Sequence, residues 1–114
     1  MSECLFCKIV SKEIPSDMIY QDEFITIFKD INPAAPVHLL VIPNLHIASV
    51  QEMETEHEQL FGKLFLGAKK AAEEASIAES GYRLIVNTGP DGRQEIHHIH
   101  MHMLGGAKMQ HPMG

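Results

Sequence analysis

Apolar residues recur at two spacings along the 114-residue chain, and the change from one to the other marks out its elements. Residues 5–11 predict a short helix that ends before Ile14-Pro15, because a residue preceding proline avoids the helical region. Residues 17–21 and 24–30 carry β-branched and aromatic side chains around a turn at Gln21-Asp22-Glu23, the pattern of paired strands. A two-proline loop, Asn32-Pro33-Ala34-Ala35-Pro36, leads into the apolar run 37–42, which reads as a buried strand ending at Pro43-Asn44. Residues 55–78 predict one long helix. Thr55 and Glu58 have the spacing of a capping box, Phe61, Leu64, Phe65, Ala68, Ala71, Ala72 and Ala75 form one stripe, and Gly81 supplies a stop. Strands follow at 82–87 and 96–104, separated by the turn-rich loop 88–93; residues 107–114 hold no clear element. Strands joined mostly by short turns, with one helix covering a face, imply an antiparallel α+β fold.

Composition narrows the class. A hydrophobic content of 45% with 21% charged residues suits residues 1–114 folding as a single domain around one core. The formal charge of −6 argues against a broad nucleic-acid footprint. The sequence has neither an 18-residue apolar run nor a signal-peptide pattern, so the expectation is a cytoplasmic protein without a membrane partner. In that compartment Cys4 and Cys7 are expected as reduced thiols or metal ligands, not as a disulfide.

The candidate chemistry lies in the last strand. Side chains alternate there, so His98, His100 and His102 share one face while Ile99, Met101 and Met103 take the other. The apolar set can pack on a core, and the imidazoles then face a cleft or solvent. Two chemistries fit: a metal site, or a nucleophilic imidazole with neighbours that stabilise an anion. Upstream, Gly92-Arg93-Gln94-Glu95 offers backbone N–H groups, a guanidinium and a carboxamide, which favours the phosphate reading.

His98-Ile99-His100-Met101-His102-Met103-Leu104 resembles the alternating signature of the histidine triad (HIT) family of nucleotide hydrolases and transferases. Lys8-Ile9-Val10, Glu13-Ile14-Pro15, Val41-Ile42-Pro43, Gly81-Tyr82-Arg83-Leu84 and Leu104-Gly105-Gly106 extend the likeness to its Hint branch, as does the run from Phe28 through Asp30 and Pro33 to His38. The resemblance implies a five-stranded antiparallel sheet with one long helix and a short N-terminal helix, paired as a homodimer. It implies hydrolysis of purine nucleoside 5′-phosphoramidates through a nucleotidyl intermediate on His100. His102 would contact the phosphate and His38 would support the nucleophile. Asp30 would hold the ribose, and Phe6, Ile9, Phe28, Ile31 and Leu40 the base. Asn87, Gln94 and Glu95 would stand beside the phosphates; Arg93 departs from the pattern, replacing a glycine common in that branch, and would either add a phosphate contact or partly obstruct the loop. Other branches imply a dinucleoside polyphosphate hydrolase or a nucleotide-binding regulatory protein. The likeness to bacterial-type members also implies a structural zinc ion at Cys4, Cys7, His46 and His98, with no metal needed for catalysis.

Overall fold

A computed structural model describes residues 3–114. Its elements are α1 (Leu5–Val10), β1 (Met18–Gln21), β2 (Ile25–Lys29), β3 (Val37–Pro43), α2 (Glu58–Glu74), β4 (Tyr82–Val86) and β5 (Met101–Gly105). Every neighbouring pair of strands is antiparallel, in the order β1-β2-β3-β5-β4, which is the expected α+β architecture. No helix is long and apolar enough to cross a membrane among the described residues.

The central strand β3 explains the layering. Leu39 and Val41 turn to one face, where Ile25, Ile27, Met101 and Met103 join Leu64, Ala68, Ala71 and Ala72 of α2. Leu40 and Ile42 turn to the other, against Phe28 and against Phe6 and Ile9 of α1. A continuous apolar run is therefore required in β3, since both faces are covered. Leu40 pairs with His102, so His38, two residues along the same face, lies diagonally across the ladder from that imidazole.

Small residues let α2 approach the sheet closely. A Cβ built on Gly67 would stand 2.5 Å from Ile25 Cδ1. Alanine gains about 0.5–1 kcal/mol of helix propensity over glycine, while overpacking a core costs about 1–3 kcal/mol. Gly67→Ala is therefore expected to destabilise by about 1 kcal/mol, read as a lower denaturant midpoint at unchanged slope. A raised midpoint would mean that Ile25 turns aside freely.

Three boundaries differ from expectation. A 3-10 turn, Thr55–His57, precedes α2, and the capping box joins Glu54 and His57 in place of Thr55 and Glu58. His57 Nδ1 accepts the Glu54 N–H at 2.9 Å, a capping role for a residue with no other evident function. The helix also ends well before Gly81. Ser76 turns left-handed (φ 62°), its N–H bonds to Glu73 O, and Ile77 N–H reaches back to Ala72 O as Ile77 enters the core. Finally, β5 is shorter than 96–104. Ile99 N–H bonds to Ile47 O at 2.7 Å, which takes this segment out of the ladder.

Candidate functional site

A cavity of about 630 Å³ opens on the α1 side of the sheet. Phe6, Ile9, Phe28 and Leu40, the residues expected around a base, form a buried apolar wall. His100, His102, Asn87, Arg93 and Glu95 supply the polar lining, and Asp30 and the exposed Ile31 line it as well. Sequence reasoning missed Leu5, Ile14, Pro15 and Ile96, which also line it. Ile14-Pro15 reads from sequence only as a helix boundary, and nothing local says that it faces a cavity.

Two expected residues lie elsewhere. Gln94 does not line the cavity, because its amide holds the loop together. Its Oε1 accepts Gly89 N–H at 3.0 Å, and its Nε2 donates to Ala48 O at 2.6 Å and Ile96 O at 3.0 Å. Arg93, beside it, adopts φ 63°, the left-handed region where the glycine it replaces sits without strain. His38 is the second. It is 8% exposed, outside the cavity lining, and it contacts His102.

The three triad histidines also depart from the simple alternating face. Only His102 belongs to β5, while His98 is fully buried and His100 nearly so. What distinguishes them is the hydrogen bond each ring makes. His98 Nε2 donates to Pro43 O at 2.8 Å, which leaves Nδ1 as a bare lone pair. His100 has the opposite arrangement: Nδ1 donates to His98 O at 2.8 Å, so Nε2 carries the lone pair. The ring of Phe6 packs edge-on against both imidazoles, with centroids 5.9 and 5.1 Å away.

Burial holds the pKa of both rings below the ordinary histidine range, and the carbonyls that accept their N–H groups only partly oppose it. His102 is pushed down to about 4, first by burial and then by the proximity of His100 and His38. The cavity near neutral pH therefore contains uncharged imidazoles. A neutral imidazole with one nitrogen tied to a carbonyl is a competent nucleophile at the other.

Among the described residues two groups of donors are close enough to share a metal ion. The first is Cys4, Cys7, His46 and His98. Cys4 caps α1, His46 follows β3, and the bare His98 Nδ1 points toward both sulfurs. A tetrahedral zinc ion requires edges of about 3.3–3.4 Å between nitrogens and about 3.5–3.6 Å between nitrogen and sulfur. The two Nδ1 atoms are 3.3 Å apart, and the nitrogen–sulfur distances are 3.3, 3.4 and 3.6 Å. The donor set fits. The second group, Asp30, His38 and His102, does not: His38 Nδ1 accepts Ala34 N–H, so Nε2, the atom facing the group, carries the proton.

A family profile described as "Scavenger mRNA decapping enzyme C-term binding" matches residues 3–113. The chain is 54% identical to the purine nucleoside phosphoramidase of Escherichia coli (strain K12), over 94% of this chain and 90% of that protein. It is 43% identical to a 14 kDa zinc-binding protein of Zea mays, over 99% and 89%. The crystal structure of a HIT family hydrolase from Legionella pneumophila Philadelphia 1 superposes with a TM-score of 0.95 at 44% identity, covering 98% of this chain and all of that one.

Proposed function

The chain belongs to the histidine triad (HIT) family, and on that premise we propose that it hydrolyses purine nucleoside 5′-phosphoramidates to the 5′-monophosphate and an amine. The observation that carries this reading is the His100 ring. Its Nδ1–H is held by the His98 carbonyl, and its bare Nε2 belongs to a residue lining a cavity with an apolar wall.

The base lies against Phe6, Ile9, Phe28 and Leu40. Asp30 accepts from the ribose hydroxyls with the lone pairs left over after its Oδ1 takes Asn32 N–H at 2.8 Å. His100 Nε2 attacks phosphorus, the P–N bond breaks, and its electron pair stays on nitrogen, which takes a proton from water. The ring then carries the nucleotidyl group on Nε2 and keeps Nδ1–H, and its positive charge is stabilised by the His98 carbonyl. Water attacks phosphorus next, the P–Nε2 pair returns to the ring, and the proton that water loses balances the one the amine gained. Asn87 and Arg93 face the same space and serve the anionic phosphoryl oxygens. Glu95 lines the same cavity and is given no part in the step.

The Cys4, Cys7, His46 and His98 cluster is read as a structural zinc site: four protein ligands leave no open position for substrate. Its support is the tetrahedral fit of the donors and the likeness to a protein named for zinc binding. The ion would tie α1, and with it Phe6, to the triad segment. The chain further acts as a cytoplasmic homodimer. Support for the pairing comes from β4, an edge strand whose residues are all only half-buried, and from Phe65 and Leu66, exposed on α2.

The test is AMP release from adenosine 5′-phosphoramidate beside diadenosine polyphosphates under identical conditions. Faster turnover of the phosphoramidate is expected, since the site needs a single phosphoryl group beside His100. Preference for the polyphosphates would move the protein to another branch of the family, and turnover of neither would leave nucleotide binding as its role.

A further inference from the structure

His38 makes two contacts that together leave its ring no choice. Ala34 N–H donates to Nδ1 at 3.0 Å, so the single proton of the neutral ring lies on Nε2. That Nε2 stands 2.9 Å from His102 Nδ1 and 3.4 Å from Asp30 Oδ2. Two N–H groups cannot face one another at 2.9 Å, so His102 Nδ1 must be the acceptor and the His102 proton must lie on Nε2. The reverse arrangement would turn a His38 Nδ1–H into the Ala34 N–H. It would place two donors together inside a buried pair.

We propose that the Ala34 amide sets the tautomer of His102 through His38, which makes His102 a neutral N–H donor to the phosphoryl group and His38 a positioning residue. The loop suits this task. Pro33 and Pro36 fix φ on either side of Ala34, and the Asp30 carboxylate anchors the start of the loop through Asn32 N–H. Asp30 Oδ2 also favours a proton on His38 Nε2 over a lone pair there. Burial and the proximity of His100 and His38 hold His102 at low basicity, which agrees with a neutral ring in this arrangement. His38 thus serves the phosphate partner, not the nucleophile. The role of His102 toward substrate rests on the reaction proposed above; the relay from Ala34 to His102 does not.

Long-range proton–nitrogen NMR of the labelled imidazoles tests both links. Wild-type His102 is expected to show a bare Nδ1 and a protonated Nε2. In His38→Ala the two tautomers should mix. There kcat should fall about 10- to 100-fold while KM changes less than about threefold, as for loss of a donor that acts in the transition state. His38→Gln, whose amide N–H reaches the same region, should restore the tautomer and most of the rate. Ala34→Pro removes the amide hydrogen that His38 Nδ1 accepts and should also mix the tautomers, so the link remains testable if His38→Ala does not fold. A protonated His102 Nδ1 in the wild type overturns the proposal, and so does an undisturbed tautomer in both His38→Ala and Ala34→Pro. If the wild type turns over no phosphoramidate, the reaction is wrong while the spectra still decide the relay.

Discussion

Replacing His100 by alanine is expected to lower turnover of adenosine 5′-phosphoramidate by at least about 10⁴-fold while AMP still binds. The asymmetry follows from the positions of the groups. The apolar wall, Asp30 and the phosphoryl-binding side chains stay in place, so the free energy of nucleotide binding is largely kept. What disappears is the lone pair proposed to form the bond to phosphorus, and neither of the other two triad imidazoles presents an equivalent one. His102 Nδ1 is covered by His38, and His98 Nδ1 faces the cysteines. Two measurements check this: single-turnover kinetics, and calorimetric titration with AMP. Acid quench of the wild type during turnover should also trap a nucleotidyl group on His100. Full turnover by the alanine variant, or a label on a different residue, would remove His100 from the chemistry.

His98→Ala is expected to lower stability by about 3–5 kcal/mol, or roughly 10–20 °C in Tm, although the residue does not line the cavity. Three losses coincide. A fully buried ring leaves a cavity, Pro43 O loses its N–H donor, and the donor cluster loses one of its two nitrogens. If zinc is the ion, its content per chain should fall from near one toward zero by mass spectrometry. His46→Ala separates the contributions, because His46 is exposed and makes neither the buried packing nor the carbonyl contact. It should lose metal with a smaller fall in Tm than His98→Ala. Equal zinc in both variants and the wild type would reject the cluster as the metal site. Phe6 leans on both His98 and His100, so loss of the ion should also loosen the base wall and weaken AMP binding.

Much of the fold was legible from side-chain periodicity. The continuous apolar run in β3 announced a strand covered on both faces, and the apolar stripe announced α2, although its Phe65 is exposed and Ala75 lies just past the helix end. These signals survive in sequence because burial of a face constrains every second or every third-to-fourth residue. Ends of elements were less legible. Whether Thr55 or Glu54 opens the capping box ahead of α2, and whether Ser76 or Gly81 follows its end, depends on which backbone groups find partners. A cap differs from its rival by about 1 kcal/mol, which tertiary contacts such as burial of Ile77 readily outweigh.

The site divides along the same line. Residue types and spacing were enough to single out His98, His100 and His102, and the family resemblance pointed to Cys4, Cys7 and His46 as partners for one of them. The division of labour among the three imidazoles was not in the spacing. It depends on which ring nitrogen meets a carbonyl or an amide from a distant segment: Pro43 for His98, and Ala34 through His38 for His102. Gln94 shows the same limit, since its polarity suited a phosphate but its amide is engaged within the loop. A histidine strand in sequence is three identical side chains. Hydrogen bonds with the distant Pro43 and His38 for two of them, and with the nearby His98 carbonyl for the third, set which ring nitrogen each leaves available, because an imidazole's chemistry is set by the partner of its other nitrogen.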